Sequence, residues 1–192
     1  MISVIGASAG LLLVPAMASA ATATTTITST IGAGINLLTS SGTVDISAVP
    51  NGAGVQTIAK DIVTVSTNDS AGYTLVLGES TATSTLTSGS NTIPGSAGTQ
   101  TTPIVMANNT WGYRVDTVGG FGGGPTTAAT NAAVSGSIKF AGVPATASPN
   151  TLKTTATTAS NDVTNVWYGV AVTTAQASGT YTNSVTYTAT AN

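Results

Sequence analysis

The sequence contains no cysteine and no histidine, and only four basic and six acidic side chains among its 192 residues. Without an imidazole or a thiol, the chain cannot form a Ser-His-Asp or Cys-His catalytic group, or a zinc site with the usual ligands. Four basic residues are also too few to neutralise a run of phosphates, which argues against a nucleic-acid partner. These absences predict a protein that is not an enzyme and that uses no cofactor or metal.

Threonine takes the place of the missing charge. About one residue in five is threonine, and only 5% of the residues are charged, where a typical domain has about 25%. Threonine is β-branched, favours strands and presents a neutral hydroxyl group to water. Because the mean hydropathy is positive at +0.32, the composition is not that of a disordered chain. We therefore expect an all-β protein whose wet face carries hydroxyl groups.

The N-terminus begins with an apolar stretch over residues 2–14, and Ala18-Ser19-Ala20 follows it. Small residues at these positions are typical of a signal peptide, so we expect residues 1–20 to be a signal segment cleaved after Ala20. No lysine or arginine precedes the stretch, which leaves a retained apolar N-terminal arm as an alternative. A membrane anchor is the weaker interpretation, because the run is shorter than about 18 residues. We expect a secreted or cell-surface protein with no stable membrane span in its mature form.

The rest of the chain alternates apolar and polar residues between clusters of turn residues. This pattern predicts strands at residues 24–31, 43–49, 55–67, 73–77, 111–116, 134–141, 163–172 and 180–190. The connector 68–72 has the composition of a hairpin loop, so its flanking strands are predicted to pair. About nine or ten strands predict a single β-sandwich over residues 39–192, with Greek-key, jelly-roll or immunoglobulin-like connections. An N-terminal strand or arm over residues 21–38 precedes it.

Four segments carry a resemblance to known proteins. They are VWYGVAV at residues 166–172, the C-terminal residues 177–192, residues 65–75, and Thr110 to Tyr113. The chain resembles threonine-rich, low-charge β-sandwich proteins of bacterial cell surfaces, of the Gram-positive or Saccharibacteria-like type. Such proteins are pilus or fibre subunits, adhesin modules and envelope components. The resemblance implies a non-enzymatic extracellular structural protein.

The N-terminal arm is the candidate assembly element. Residues 21–38 begin as a threonine-rich strand without charge, and the candidate contact residues are Ile27, Ile31, Ile35 and Leu37. Such an arm can complement the sheet edge of a neighbouring copy, which predicts a homo-oligomer or polymer. It can equally dock on the sheet of its own chain. The first alternative predicts a self-assembling subunit of a surface fibre, pilus or layer.

Three aromatic residues are candidate contacts for a ligand or a second subunit: Trp167, Tyr168 and Phe121. Trp167 points away from the clearest apolar face of its strand, and Phe121 lies in the glycine-rich loop 119–124. An exposed ring could stack on a sugar, which would make the protein an adhesin or carbohydrate-binding module that recognises a surface glycan. The alternative for each ring is core packing, which we favour for Trp111 because it shares a face with other apolar residues.

The six carboxylates are scattered along the chain and predict no glycosidase pair. Calcium binding beside Asp69 or Asp162 is a weaker alternative, since each follows an asparagine. A covalent bond between Asn183 and Lys60 or Lys139 would require both groups and an acid to be buried together. We expect no catalytic, metal or cofactor residues.

Overall fold

The computed structural model describes residues 23–125 and 127–192. Over these residues the chain forms strands and no helix, which confirms the all-β prediction. The predicted signal segment at residues 1–20 lies outside the described residues. Within them, a helix of the length and apolarity required to cross a membrane is not found. The chain divides into two units, one ending at Ile31 and one running from Gly32 to the C-terminus.

In the unit from Gly32 onward, the described residues form twelve strands. They are β1 (Ile35–Leu38), β2 (Val55–Thr67), β3 (Tyr73–Glu79), β4 (Leu86–Ser88), β5 (Asn91–Ile93), β6 (Ile104–Val105), β7 (Thr110–Val115), β8 (Ala129–Ala132), β9 (Lys139–Phe140), β10 (Asn150–Thr154), β11 (Ala159–Val172) and β12 (Val185–Ala191). The larger sheet has the order β1-β2-β11-β7, with β8 also on β2, and the smaller sheet has the order β10-β3-β12. Strands β4 and β5 form one separate pair, and β6 and β9 another. All strand pairs between these elements are antiparallel.

The main core lies between the larger and the smaller sheet. Alternate residues of β2 and β11, such as Val63 and Val166, face alternate residues of β3, such as Leu75 and Leu77, and all four are fully buried. A strand with one apolar face packs that face inward, so the long strands with period-two patterns stack as two layers. The fold is therefore a sandwich-like arrangement of two sheets.

A second, smaller core covers the other face of the larger sheet. It consists of Ile58, Met106, Phe140, Trp167 and Ala171, and loop residues around position 138 pack on it. The C-terminal half of β11 is consequently buried on both faces. Residues 166–172 form an unbroken run of buried residues, as expected for a strand segment that is covered on both faces.

Several strand predictions are corrected by the structure. Strands β2 and β3 do not pair, because the chain crosses from the larger sheet to the smaller one between them. Asn68 holds this connection by accepting a hydrogen bond from the Gly34 amide at 2.6 Å, and Gly72 adopts a φ of 86°. The turn residues 68–72 suit a hairpin as well as a connection between sheets. Their tertiary contacts select the connection between sheets. The predicted count of nine or ten strands was also too low.

Three of the predicted strands are absent or shorter. Residues 24–31 have no regular structure and are exposed, and the predicted strand 134–141 is reduced to Lys139–Phe140. Residues 43–49 form no ladder, yet Val44, Ile46 and Ala48 are half-buried against the main core. The alternating pattern therefore predicted the inward face of this segment correctly. Its backbone is bonded to a side chain of the sheet instead of to a neighbouring strand: the Thr57 hydroxyl donates a 3.1 Å hydrogen bond to the Ser47 carbonyl.

Candidate assembly surface

An exposed threonine-rich segment precedes the sandwich. Residues 23–31 contain no charged side chain, and all of them are exposed. Ile27 is 90% exposed and Ile31 is 83% exposed. In an extended chain, side chains alternate between two faces, so these two isoleucines share one face and the threonines at even positions share the other. The segment has the pattern of a half-buried strand while its apolar face remains in water. We call residues 23–31 the arm.

The other two predicted arm residues belong to the sandwich itself. Ile35 and Leu37 lie on β1, where they pair with Thr67 and Val65 of β2. The predicted boundary of the arm at residue 38 is therefore wrong, since the compact unit starts at Gly32. Residues 35–38 pair with the C-terminal end of β2 in the sheet of their own chain. Ile35 nevertheless stays 38% exposed.

Strand β12 forms one edge of the smaller sheet. It pairs along its whole length with β3, from Val185 opposite Glu79 to Ala191 opposite Tyr73. The amide of Asn192 bonds to the Gly72 carbonyl, and the carbonyl of Ser184 accepts from the Ser80 amide. Because hydrogen-bonded positions alternate in an antiparallel ladder, the even-numbered residues bond to β3. The amides and carbonyls of Val185, Tyr187, Ala189 and Ala191 consequently point away from β3, and no strand of the described residues pairs with them.

The outer face of β12 carries only hydroxyl groups. Thr182, Ser184, Thr186, Thr188 and Thr190 are exposed, and the residues between them are half-buried, as the sequence predicted. Residues 185–191 include no charged side chain and no proline. Charges and prolines are the devices that commonly prevent edge strands from pairing with other chains. The edge of β12 lacks both.

Two of the other sheet edges are protected, those formed by β10 and β7, and the edge strands β1 and β8 are only four residues long. At the opposite edge of the smaller sheet, β10 contains Lys153 and a register shift between Thr151 and Lys153. The Gln100 side chain also bonds to the Thr151 carbonyl at 2.8 Å. In the larger sheet, the outer amides of β7 bond to carbonyls of the chain segments around positions 94 and 141. Among the described strands, β12 presents the longest uncharged edge without such cover.

The edge of β12 lies next to β1. The larger sheet is four strands wide and the smaller one three, and β1 neighbours β12 without a hydrogen-bonded ladder between them. Leu37 is half-buried against the main core and Ile35 is partly exposed. These two side chains and the inward residues of β12 therefore border a position where the smaller sheet has no fourth strand among the described residues.

The predicted ligand contacts are buried. Trp167 is 2% exposed, Tyr168 is 5% exposed and Phe121 is 3% exposed. The interpretation of these rings as surfaces for a sugar is therefore wrong, because stacking requires an accessible face. Trp167 belongs to the second core, where the Lys60 ammonium group lies 5.5 Å from the ring centroid. A core role for Trp111 is confirmed by its 4% exposure.

Each of the other two rings has a packing partner that explains its burial. Tyr168 stacks on Trp111 with 6.5 Å between centroids, and its hydroxyl lies 2.7 Å from that of Tyr187. Phe121 meets Tyr113 edge to face, with 5.5 Å between centroids. Burial raises the pKa values of both hydroxyls in the Tyr168–Tyr187 pair, so the pair remains neutral at physiological pH.

Arg114 anchors the glycine-rich loop and was not singled out by the sequence. Its side chain is fully buried, and its guanidinium group donates to the carbonyls of Phe121 and Gly122 at 3.2 Å each. It also pairs with Asp116 at 3.1 Å. Desolvation lowers the pKa of Arg114, and the neighbouring Asp116 carboxylate opposes this shift. Arg114 therefore holds the loop in place through two of its backbone carbonyls.

Glu79 is a second buried acidic or basic residue that no local sequence pattern indicated. It is 1% exposed, and its Oε2 accepts a 3.0 Å hydrogen bond from the Asn183 amide. No described residue bonds to Oε1. Burial raises the pKa of Glu79 to about 7, and the Asn183 bond opposes this shift. Asn183 therefore stabilises a buried acid, and its contacts include neither of the lysines considered as covalent partners.

The remaining acids mostly serve local structure. Asp162 pairs with Lys153 at 2.6 Å and accepts a 2.8 Å bond from the Tyr73 hydroxyl. Burial disfavours the charged form of Asp162, but these two partners more than offset it and lower its pKa. Asp69 accepts from the Ala71 amide within its own turn. Across residues 23–125 and 127–192, no group of three potential metal ligands of the His, Cys, Asp or Glu type comes together.

Comparisons with protein-family models, curated proteins and solved structures give no match. The function is therefore inferred from the geometry of the chain.

Proposed function

We propose that the protein is a non-enzymatic structural subunit that assembles with copies of itself into an extracellular fibre, pilus or layer. The observation that carries this proposal is the arm, whose two isoleucines are 90% and 83% exposed on a segment with a strand pattern. Burying an isoleucine side chain contributes about 1.5 to 3 kcal/mol. Both are in water, and an extended conformation of the arm would place them on one face, which favours a partner that covers that face.

The surface composition supports an extracellular location. The wet face of β12 is lined by threonine and serine, and few charged groups exist on the chain to be titrated or screened. Contacts formed by backbone hydrogen bonds and apolar side chains change little with ionic strength. Such contacts suit a building block whose surroundings vary in salt and acidity.

A pair of double variants of the full chain tests the proposal. Ile27→Asp with Ile31→Asp places two charges on the apolar face of the arm. Thr26→Asp with Thr30→Asp places the same two charges on the opposite face, at positions that are also exposed. Assembly is measured by sedimentation velocity and by electron microscopy of the purified protein at several concentrations.

We expect the wild-type protein and the threonine control to form high-mass particles and the isoleucine variant to sediment as a monomer. The two variants have equal net charge, so a difference between them reports the apolar face rather than general repulsion. A wild-type protein that stays monomeric at all concentrations and forms no filaments on its native surface would refute the proposal.

A further inference from the structure

We infer that the unpaired edge of β12 is the acceptor for the arm of a second copy, which adds a fourth strand to the smaller sheet. This inference rests on the proposed function and identifies the surface that the arm recognises. The occupant is residues 23–31 of another molecule of the same chain. Its bonding partners are the outward amides and carbonyls of Val185, Tyr187, Ala189 and Ala191.

The two elements match in length and in charge. Nine residues of arm span about 30 Å when extended, and the seven residues of β12 span about 23 Å. Neither the arm nor β12 contains a charged side chain. Pairing of the arm with β12 therefore desolvates no charged side chain on either strand. The outward amides and carbonyls of β12 replace their hydrogen bonds to water with hydrogen bonds to the arm.

The side chains also match on both faces. In the added strand, Ile27 and Ile31 would lie on the inward face, beside the half-exposed Ile35 and Leu37 of β1. The threonines of the arm would then extend the hydroxyl face formed by Thr186, Thr188 and Thr190. Shifting the arm by one residue would place the isoleucines in water and threonines against the core, so the pattern specifies the register parity.

The protection of the β10 edge and the shortness of the edge strands β1 and β8 favour β12 as the acceptor. Strand β10 has a lysine, a register shift and a side chain bonded to its outer carbonyl. Pairing there would require breaking the Gln100 bond and burying the stem of Lys153. The edge of β12 requires no rearrangement of a described contact.

Cysteine pairing tests the inference cleanly, because the sequence contains no native cysteine. One protein carries Thr28→Cys on the hydroxyl face of the arm, and a second carries Thr188→Cys on β12. The matched control replaces Thr188→Cys by Thr154→Cys, at an exposed position on β10. If the added strand runs antiparallel to β12, the even-numbered residues of β12 form non-hydrogen-bonded pairs with it. The Cα atoms of such a pair lie about 4.5 Å apart, which allows a disulfide to form. Thr186→Cys and Thr190→Cys cover the alternative registers.

The two proteins are mixed, oxidised mildly and separated without reductant. Strand pairing holds the thiols at an effective concentration of about millimolar, so we expect about tenfold more heterodimer with the β12 series than with the β10 control. Equal yields would overturn the inference. So would a disulfide that forms only within one chain when Thr28→Cys and Thr188→Cys are combined, because the arm would then dock on its own molecule.

These outcomes are separable from the proposed function. If the wild-type protein assembles and the isoleucine variant does not, but β12 gives no excess heterodimer, assembly through the arm stands and the acceptor lies elsewhere. If the wild-type protein never assembles, the proposed function itself fails. Far-ultraviolet circular dichroism of each cysteine variant verifies that the fold is retained.

Discussion

The buried Glu79 makes the stability of this protein depend on pH in a predictable direction. Glu79 is the last residue of β3, it is 1% exposed, and burial raises its pKa from 4.5 to about 7. An acid whose folded-state pKa is raised binds its proton more tightly in the native state than in the unfolded chain. Its contribution to stability is therefore fully present below about pH 4.5 and is lost as the pH rises through about 7.

The magnitude follows from the size of the shift. One pKa unit corresponds to about 1.4 kcal/mol, so integrating between pH 5 and pH 8 gives a loss of about 2 to 3 kcal/mol in the free energy of unfolding. The sequence has no histidine to titrate in the same interval. Asp162 has a lowered pKa, so its stabilising contribution is lost only as the pH falls below about 4.

Urea unfolding at several pH values measures this loss, and two variants isolate its source. Glu79→Gln keeps an oxygen that can accept from Asn183 but cannot ionise, so its unfolding free energy should lack this 2 to 3 kcal/mol decline. Asp45→Asn removes the same charge from an exposed position and should retain the wild-type decline. Equal pH dependence in the wild type and in Glu79→Gln would refute the reasoning, since the decline could not then come from Glu79.

Three further predictions concern the core, each measured by urea unfolding. Arg114→Lys should cost about 2 kcal/mol or more, because an ammonium group cannot bond to both loop carbonyls and Asp116; an unchanged stability would contradict the anchoring role. Gly169→Ala should cost about 1 to 3 kcal/mol, because the added Cβ would lie 2.8 Å from the Phe140 ring. Tyr187→Phe should cost about 1 kcal/mol by removing the hydroxyl partner of Tyr168, and no loss would indicate that water replaces it.

The strand positions that the sequence predicted correctly are those with one wet and one buried face. Period-two alternation located β2, β7 and the face of β12, because each alternate residue meets either core or water. The partners of these strands could not be predicted in the same way. The turn residues at 68–72 are compatible with a hairpin and with a crossing between sheets, and the choice depends on the distant contact between Asn68 and Gly34.

The burial of Trp167 was mispredicted for a related reason. Alternation assigns one face of β11 to water, but the loops around Met106 and Phe140 cover that face as well. The run of apolar residues from Val166 to Val172 was a signal of burial on both sides. Arg114 and Glu79 carried no local signal, because their partners are loop carbonyls and an amide distant in sequence.

The scarcity of charge acquires a structural meaning once the charges are located. Arg114 bonds to the carbonyls of the glycine-rich loop, and Lys60 lies over Trp167. Lys153 pairs with Asp162 and places a charge on the edge strand β10. None of these basic groups lies on the arm or on β12. For a monomer, an uncharged sheet edge and an exposed uncharged segment with a strand pattern are both aggregation liabilities. In a subunit that assembles through that edge, the same absence of charge keeps the acceptor open, and the protected β10 edge prevents a second, competing mode of strand addition.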